Sequence, residues 1–394
     1  MPRRKSQDDQ PGEFRPTAAW KRSVRRRLSA WFGRNARDLP WRRTHDPYRI
    51  WVSEIMLQQT RVRAVVPYYE RFLARFGDVA RLAAAPRSSV LRVWEGLGYY
   101  RRAVSLHEAA RIIVNQYDGA LPTRADQLAA LPGIGRYTAG AILSIAHDAR
   151  LPIVEANSAR VLCRLAAVCG PASESSTRRE LWRLAEDLLP QRNVGVFNQA
   201  LMELGSEVCT AASPRCDECP LATVCRAHAM GEQDRIPLRS GKPKSTAVRQ
   251  AAVVVWREGN VLLRRCQPGE RWAGLWDFPR FDIAVDGVSA TNGAKSNGAS
   301  RGNTKLPRQI AQGVSRLTGV RVRVGRRLTT IEHTVTRFHI TLDCHEARYI
   351  GDGTSNGNGH ATQRSTDLRW VSPRSLSRYP LSVTGRRIAR LLQK

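Results

Sequence analysis

The sequence predicts two architectures in one chain: an all-α half carrying a helix-hairpin-helix turn and a four-cysteine loop, then an α+β half. Three observations carry this expectation. From Trp20 to about Arg226 apolar residues recur at spacings of three and four, punctuated by Pro and Gly, as amphipathic helices do. Further on the rhythm changes to short alternating or continuous apolar runs such as Phe338-His339-Ile340-Thr341-Leu342, the pattern of strands. Between them, His228 to Ala247 is charged, poor in large apolar residues and interrupted by Gly231, Pro237, Gly241 and Pro243, which reads as a linker. A length of 394 residues suits two or three domains of about 150 residues each, and 42% hydrophobic residues suffice for more than one core. The expected divisions are a disordered tail at 1–16, a helical domain at 17–228, the linker at 229–247 and a second domain at 248–394.

Charge narrows the class of partner. Sixty-four Lys and Arg against 34 Asp and Glu leave a formal charge of +30, which favours a polyanion, nucleic acid first among them. Ten Trp, nine Tyr and eight Phe interleave with the arginines and offer flat groups for stacking. No apolar run approaches the roughly 18 residues of a membrane span, so no membrane partner is expected. Residues 1–16 mix Arg3, Arg4 and Lys5 with Asp8, Asp9 and Glu13 and hold no apolar stretch, so they read as a disordered tail rather than a secretory signal. The eight cysteines then do not form a secreted disulfide framework, and the expected setting is the reducing cytoplasm, at the nucleoid.

The elements follow in chain order. Asp46-Pro47 reads as an N-cap with Pro at the first helical position, opening a helix that places Ile50, Trp51, Glu54, Leu57 and Gln58 on one face. Glu54 therefore sits in an apolar stripe, where desolvation disfavours its charged form and raises its pKa, as a general acid requires. A surface ion pair with Arg49 or Arg61 is the plainer alternative. Next, Leu131-Pro132-Gly133-Ile134-Gly135-Arg136 joins a short helix, Asp126 to Ala130, to one beginning near Arg136. Its glycines permit close approach, and free amides at the second helix's start, with Arg136, can hold a phosphate oxygen. A lone Gly-x-Gly also suits an ordinary αα-hairpin.

Glu155 follows the extended Leu151-Pro152-Ile153-Val154 and precedes Asn157, a good N-cap for the helix through Arg160, Val161 and Leu165. That helix start favours the charge of Glu155. Two carboxylates in environments that separate their pKa values form an acid and an anionic stabiliser, the pair used to cleave a glycosidic bond. Cys209, Cys216, Cys219 and Cys225 come next, separated by six, two and five residues. Zinc Cys₄ sites usually pair two C-x-x-C knuckles, whereas one knuckle with wider spacings suits the corners of an iron-sulfur cube; zinc is the alternative. With all four corners filled by thiolate, the role is structural.

In the second half, Ala251 to Trp256 and Val261 to Leu263 read as strands around the turn Glu258-Gly259-Asn260. Asp286 to Asn303 and Gly351 to Thr366 are too polar to pack and read as inserted surface loops.

Taken together, the hairpin, Glu54 in Trp51-Val-Ser-Glu-Ile-Met-Leu-Gln-Gln-Thr60, Gly96-Leu-Gly-Tyr-Tyr100 and the four cysteines resemble the MutY family of adenine DNA glycosylases, closely over residues 20–228 and more loosely to the end. The resemblance implies a helix-hairpin-helix glycosylase domain with a 4Fe-4S cluster on the four cysteines. It implies a monofunctional enzyme that flips adenine out of 8-oxoguanine:adenine or guanine:adenine mispairs in double-stranded DNA and excises it, acting as a monomer. Glu54 matches the family's general acid. Tyr137 stands where strand-cutting relatives carry a nucleophilic lysine. Arg42 and Asn157 match residues around the flipped base and second carboxylate, while Gln58, Gln59, Tyr99 and Tyr100 match residues that enter or line the base stack. Tyr137 and Asn157 are expected to orient the second carboxylate and water.

Two departures stand out. The family usually reads Asp-Gly-Asn-Val where this chain has Glu155-Ala156-Asn157-Ser158, so the second acid is one methylene longer. The second half resembles a Nudix-like lesion-reading domain, notably in Trp272-Ala-Gly-Leu-Trp-Asp-Phe-Pro279, yet Gln309 to Gly319 holds no glutamate for magnesium, which points to recognition and not hydrolysis. In the family's lesion-reading loop, here Glu332 to His339, Val335-Thr336-Arg337 replaces Phe-Ser-His; His333 and the Thr336 hydroxyl are the expected base-sensing groups. A thymine or uracil mismatch glycosylase and a non-catalytic lesion-binding protein are the competing expectations.

Overall fold

The structure is a computed structural model that describes residues 14–238, 241, 245–284, 305–353 and 367–393. Two compact units emerge: a helical unit of Met1–Ala84 with Ser105–Gly241, and a sheet unit of Ala85–Val104 with Lys242–Lys394. The helices are α1 (Ala18–Asn35), α2 (Pro47–Leu57), α3 (Val62–Arg75), α4 (Val79–Ala84), α5 (Arg87–Trp94), α6 (Arg101–Gln116), α7 (Ala125–Ala129), α8 (Arg136–His147), α9 (Ala156–Ala166), α10 (Ser175–Leu188), α11 (Val194–Glu207) and α12 (Arg226–Ala229). Of these, α5 belongs to the sheet unit and α6 crosses the division.

The helical unit follows the apolar periodicity. Val24 and Leu28 of α1, Leu162 of α9, Leu181 and Leu188 of α10, and Phe197 and Leu201 of α11 share one core. α2 opens as the sequence predicts, with the Asp46 carboxylate accepting from Tyr48 N at 2.8 Å and Pro47 at the first helical position. Gly205 has a particular purpose in α11: a Cβ there would lie 2.7 Å from the Asn157 carbonyl oxygen and 2.8 Å from Asn157 Cβ. Only a residue without Cβ lets α11 pass this close to the start of α9, and that approach builds the cleft described below.

In the sheet unit, β1 (Thr246–Arg257), β2 (Asn260–Arg265), β3 (Trp276–Asp277), β4 (Arg280–Asp282), β5 (Val320–Val335), β6 (Phe338–Asp352) and β7 (Leu368–Val371) form a mixed sheet ordered β3-β2-β1-β6-β5, with β4 on β1 and β7 on β2. β1 and β6 are parallel and the other pairs antiparallel. Helix α13 (Lys305–Thr318) buries Ile310 and Val314 on one face, and α14 (Val383–Leu391) buries Ile388 and Ala389 on the other. The first turn is tighter than expected, because Glu258 and Gly259, at φ 48° and 75°, make it alone and Asn260 already opens β2.

Three further differences concern boundaries. Residues 85–104 were expected to lie within the helical domain but pack with the sheet unit. Glu95 explains why: Arg386 of α14 donates to both its carboxylate oxygens, Nε at 2.6 Å and Nη2 at 3.0 Å, and also to the carbonyls of Leu376 and Tyr379. The end of the expected tail is anchored, with Phe14 edge-on to Trp20 at 5.1 Å and Arg226 over the Phe14 ring; residues 1–13 lie outside the described residues. The Asp286–Asn303 insertion also lies outside them, as does the second insertion from 354 on, whereas Gly351 and Asp352 continue β6. No helix among the described residues is long and apolar enough to cross a membrane.

Candidate active site

A cleft of about 450 Å³ opens in the helical unit, lined by residues of α2, α8, the start of α9, α11 and the turn Pro40–Arg42. It gathers Arg42, Glu54, Gln58, Gln59, Tyr137, Glu155 and Asn157, seven side chains that the sequence singled out. Its size lies within the usual range for small-ligand sites, about 300–1,000 Å³.

Glu54 is 5% exposed on the buried face of α2. Tyr137 Oη donates to its Oε2 at 2.8 Å and lies 3.2 Å from Met202 Sδ. Burial pushes the Glu54 carboxyl up, the Tyr137 hydrogen bond pulls it back, the negative Glu155 raises it and Arg42 lowers it, leaving a pKa of about 7. Arg49 does not pair with it, turning instead to Asp46 at 3.4 Å. Burial and the two nearby glutamates hold the Tyr137 phenol well above its ordinary value, so it remains a hydrogen-bond donor.

Glu155 corrects the sequence reading of α9. The N-cap is Glu155 itself and not Asn157: its carboxylate accepts from Asn157 N at 2.8 Å and Ser158 N at 2.7 Å, while Ser158 Oγ accepts from Glu155 N. The longer acid curls back onto its own helix, and the cap takes up the extra methylene. Of the expected orienting pair, Asn157 does hold the second carboxylate, and only Tyr137 is engaged elsewhere. Tyr137 gives its hydroxyl to Glu54, and Asn157 holds Glu155 through its backbone amide, its side-chain oxygen accepting from Arg160 at 2.9 Å.

Arg42 is engaged differently from expectation as well. Its guanidinium lies on Glu203 of α11, at 3.0 Å to Oε1 and 2.8 Å to Oε2, and Arg37 adds bonds of 2.8 and 2.6 Å to the same carboxylate. Glu203 lines the cleft, is 1% exposed and escaped the sequence reading. The signal was present, a lone acid in the apolar run Ala200-Leu-Met-Glu-Leu204, the same signal that marked Glu54. Burial works to raise its pKa, but the hydrogen bonds from Arg37 and Arg42 hold it down at about 2. Gln58 ends α2 with Nε2 3.5 Å from Thr138 Oγ1, and Gln59 is exposed at a left-handed φ of 55°.

The hairpin residues do not line this cleft. Leu131 is buried, Gly133 has a φ of 79° with Ser105 Cβ only 2.9 Å from where its own Cβ would be, and Gly135 precedes α8 with no side chain capping the first amides. Arg136 is exposed but stacked, 3.9 Å from the Trp182 ring centre.

Within the sheet unit the two adjacent tyrosines differ. Tyr99 is 46% exposed at a φ of 47°, with the Arg102 guanidinium 5.3 Å from its ring centre. Tyr100 is 5% exposed and its hydroxyl accepts from Gly96 N at 3.1 Å, so it braces the turn instead of entering a base stack. Thr336 is exposed at the β5–β6 turn with a φ of 52°, its hydroxyl on the Val335 carbonyl at 2.7 Å. His333 is half-buried, with both ring nitrogens buried and unpartnered among the described residues; burial and then Arg280 lower its pKa.

The four cysteines wrap the end of α11 and the start of α12. None is in a disulfide, burial pushes Cys219 to about 12, and the charges of Cys209, Cys225 and Cys216 add to that, which places the four within electrostatic reach of one another. Among the described residues no group of three or more His, Cys, Asp or Glu is gathered to hold a single metal ion. Buried Arg164 sits against the cluster, with Nη1 3.3 Å from Cys209 Sγ and its other bonds going to the carbonyls of Thr210 and Ile236.

Comparison with known proteins accords with this geometry. Residues 52–187 match the HhH-GPD superfamily base excision DNA repair protein model and residues 251–391 the NUDIX domain. Adenine DNA glycosylase of Mycolicibacterium smegmatis is 45% identical over 267 residues, 66% of this chain and 89% of that one. The chain belongs to the adenine DNA glycosylase family. The adenine DNA glycosylase of Buchnera aphidicola subsp. Acyrthosiphon pisum is 36% identical over 252 residues, covering 64% of this chain and 72% of that one. Among solved structures, a thermostable thymine-DNA glycosylase overlays with a TM-score of 0.49 at 28% identity, covering 55% of this chain and all of that one. Although the second match is to a NUDIX domain, α13 carries no acidic residue.

Proposed function

We propose that this adenine DNA glycosylase excises adenine from DNA by hydrolysing the N-glycosidic bond, with Glu54 as general acid and Glu155 as the anionic stabiliser. The observation that carries this reading is one cleft holding two carboxylates of different environment, Glu54 buried with a pKa of about 7 and Glu155 fixed by the start of α9. A flipped adenine enters the cleft, Glu54 transfers its proton to a ring nitrogen, and the base leaves neutral as the C–N bond breaks. The Glu155 carboxylate stabilises the sugar cation. Water then adds to the sugar carbon, and its proton returns to Glu54. Tyr137 holds Glu54 in place, and with no lysine at that position the enzyme releases the base without strong strand cutting. Gln58 and Gln59 at the rim fill the gap left in the base stack, and the exposed ring of Tyr99 is available to a neighbouring base.

The favoured target is adenine opposite 8-oxoguanine or guanine, with Thr336 and His333 sensing the opposite base. The four cysteines fit a 4Fe-4S cluster, since the donors are all thiols and buried Arg164, with no carboxylate paired to it among the described residues, supplies the positive charge that an anionic thiolate cage would balance. Such a cluster, when bound, supplies structure and holds the Arg-rich loop around it in shape. The protein would act as a monomer, in the cytoplasm.

The deciding experiment offers 8-oxoguanine:adenine, guanine:adenine and guanine:thymine duplexes in one assay and identifies the released base. Adenine is the expected product. Thymine release would make the enzyme a mismatch thymine glycosylase, and binding without any release under single turnover would make it a lesion binder. Glu155→Asp run alongside shows whether the site is built around the longer acid, in which case the shorter one slows release.

A further inference from the structure

Helix α9 opens with a capping box in reverse. The common form sets Ser or Thr at the cap and Glu or Gln three residues on, whose long side chain reaches back to the amide of the cap. Here the long acid, Glu155, is the cap and the short Ser158 reaches back: Glu155 N donates to Ser158 Oγ at 2.8 Å, and Ser158 N donates to Glu155 Oε1 at 2.7 Å. Glu is not among the residues favoured at a cap, and its extra torsion makes it costlier to hold still than Asp. The cleft supplies a reason for the reversal. Glu155, Ala156 and Asn157 line it, whereas Ser158 is fully buried behind them and does not.

The chain on either side of Glu155 is already clamped. A Cβ on Gly140 of α8 would lie 2.7 Å from the Pro152 carbonyl oxygen, and one on Gly205 of α11 would lie 2.7 Å from the Asn157 carbonyl oxygen. Two helices thus fix the backbone before and after the acid. They leave open the acid itself, its amide and its side-chain torsions. Ser158 closes both. Its hydroxyl accepts from the Glu155 amide and donates to the Glu155 carbonyl at 3.2 Å, and its own amide shares the carboxylate with that of Asn157, which donates at 2.8 Å. A carboxylate has about four acceptor positions, so with one amide on each oxygen both oxygens keep a position for a cation.

We infer that Ser158 is a positioning residue for the second acid: it does not touch substrate, and its hydroxyl sets where the Glu155 carboxylate meets the sugar cation. This rests on the reading of Glu155 as the anionic stabiliser and adds the residue that holds the longer acid to that task.

The test measures charge recognition without base release. Wild type, Ser158→Ala, Glu155→Gln and the double variant are titrated with two duplexes, one carrying a cationic pyrrolidine in place of the target deoxyribose and the other a neutral tetrahydrofuran, and the ratio of the two affinities is taken. Wild type should prefer the cation. Ser158→Ala should lose roughly two- to tenfold of that preference, the range of one hydrogen bond. Added to Glu155→Gln, the same change should do nothing, because the carboxylate it positions is gone. A loss of stability alone would weaken both duplexes together and leave the ratio unmoved. A ratio unchanged in Ser158→Ala, or reduced as much again in the Glu155→Gln background, overturns the assignment of Ser158 and leaves Glu155 in place. No preference in wild type instead removes Glu155 as the stabiliser, and Ser158 with it. Should Ser158→Ala not fold, Ser158→Cys, with only a weak acceptor, gives the same readings.

Discussion

Two glutamates line one cleft from different helices, and the protein gives them opposite chemistry. Glu54 on α2 and Glu203 on α11 are both almost fully buried. Glu54 has one neutral donor, the Tyr137 hydroxyl, and its pKa rises to about 7; Glu203 has two guanidiniums, from Arg37 and Arg42, and falls to about 2. Burial alone raises both, so partner charge decides which acid keeps a proton near neutrality. The proton-bearing acid becomes the catalyst and the permanently charged one becomes a strut between the Arg37–Arg42 segment and α11.

Breaking the catalytic side should give the largest effect. Glu54→Gln keeps shape and hydrogen bonding but removes the acid, so single-turnover adenine release should fall by up to about 10⁴-fold while duplex binding persists. Unchanged release would reassign the acid. Next, Arg37→Ala with Arg42→Ala leaves the Glu203 charge buried without a partner, and roughly 3–5 kcal/mol of stability should be lost in denaturant unfolding at neutral pH. The sign with pH sharpens this. A depressed folded pKa adds stability above the usual carboxylate value, near 4.5, and that stability drains away as pH falls toward 2, so the gap between wild type and variant should narrow in acid.

A smaller effect separates the two acids by pH. Only protonated Glu54 donates, so wild-type release should hold below about pH 7 and fall about tenfold per unit above it. Tyr137→Phe removes the bond that favours the carboxylate, and the falling limb should move to higher pH; a shift to lower pH would contradict the assigned donor. The smallest change concerns a tyrosine outside the cleft. Tyr100→Phe loses the Gly96 amide bond and about 1 kcal/mol of stability, whereas Tyr99→Phe should leave the melting temperature unchanged.

The parts legible in the sequence are those governed by local spacing. The burial of Glu54 follows from apolar neighbours three and four residues away, and Asp46-Pro47 announces the start of α2 at short range. The turn of Glu258-Gly259 is equally local. What escaped depends on distance. Arg42 and Glu203 are separated by 161 positions, so no window shows that the arginine is already engaged. Tyr137 lies 83 positions from Glu54, and its partner is fixed by how α8 meets α2. Propensity favoured Asn157 as the cap of α9, but Glu155 captures the amides through a capping box with Ser158. Tyr99 and Tyr100 are chemically identical neighbours, and only the left-handed backbone at Tyr99 turns one outward. The allegiance of residues 85–104 is likewise invisible, because helix periodicity says which face of α5 is apolar and not what covers it.

That allegiance has a practical consequence for anyone who cuts this protein into pieces. The chain passes between the two units three times, after Ala84, after Val104 and after Gly241, so a protease acting only at the last crossing severs a single strand of a three-strand tether. The released carboxy-terminal fragment would still be gripped through Arg386 by the glutamate that precedes Gly96. On a sizing column it should travel with its parent, and part from it only when denaturant loosens the grip.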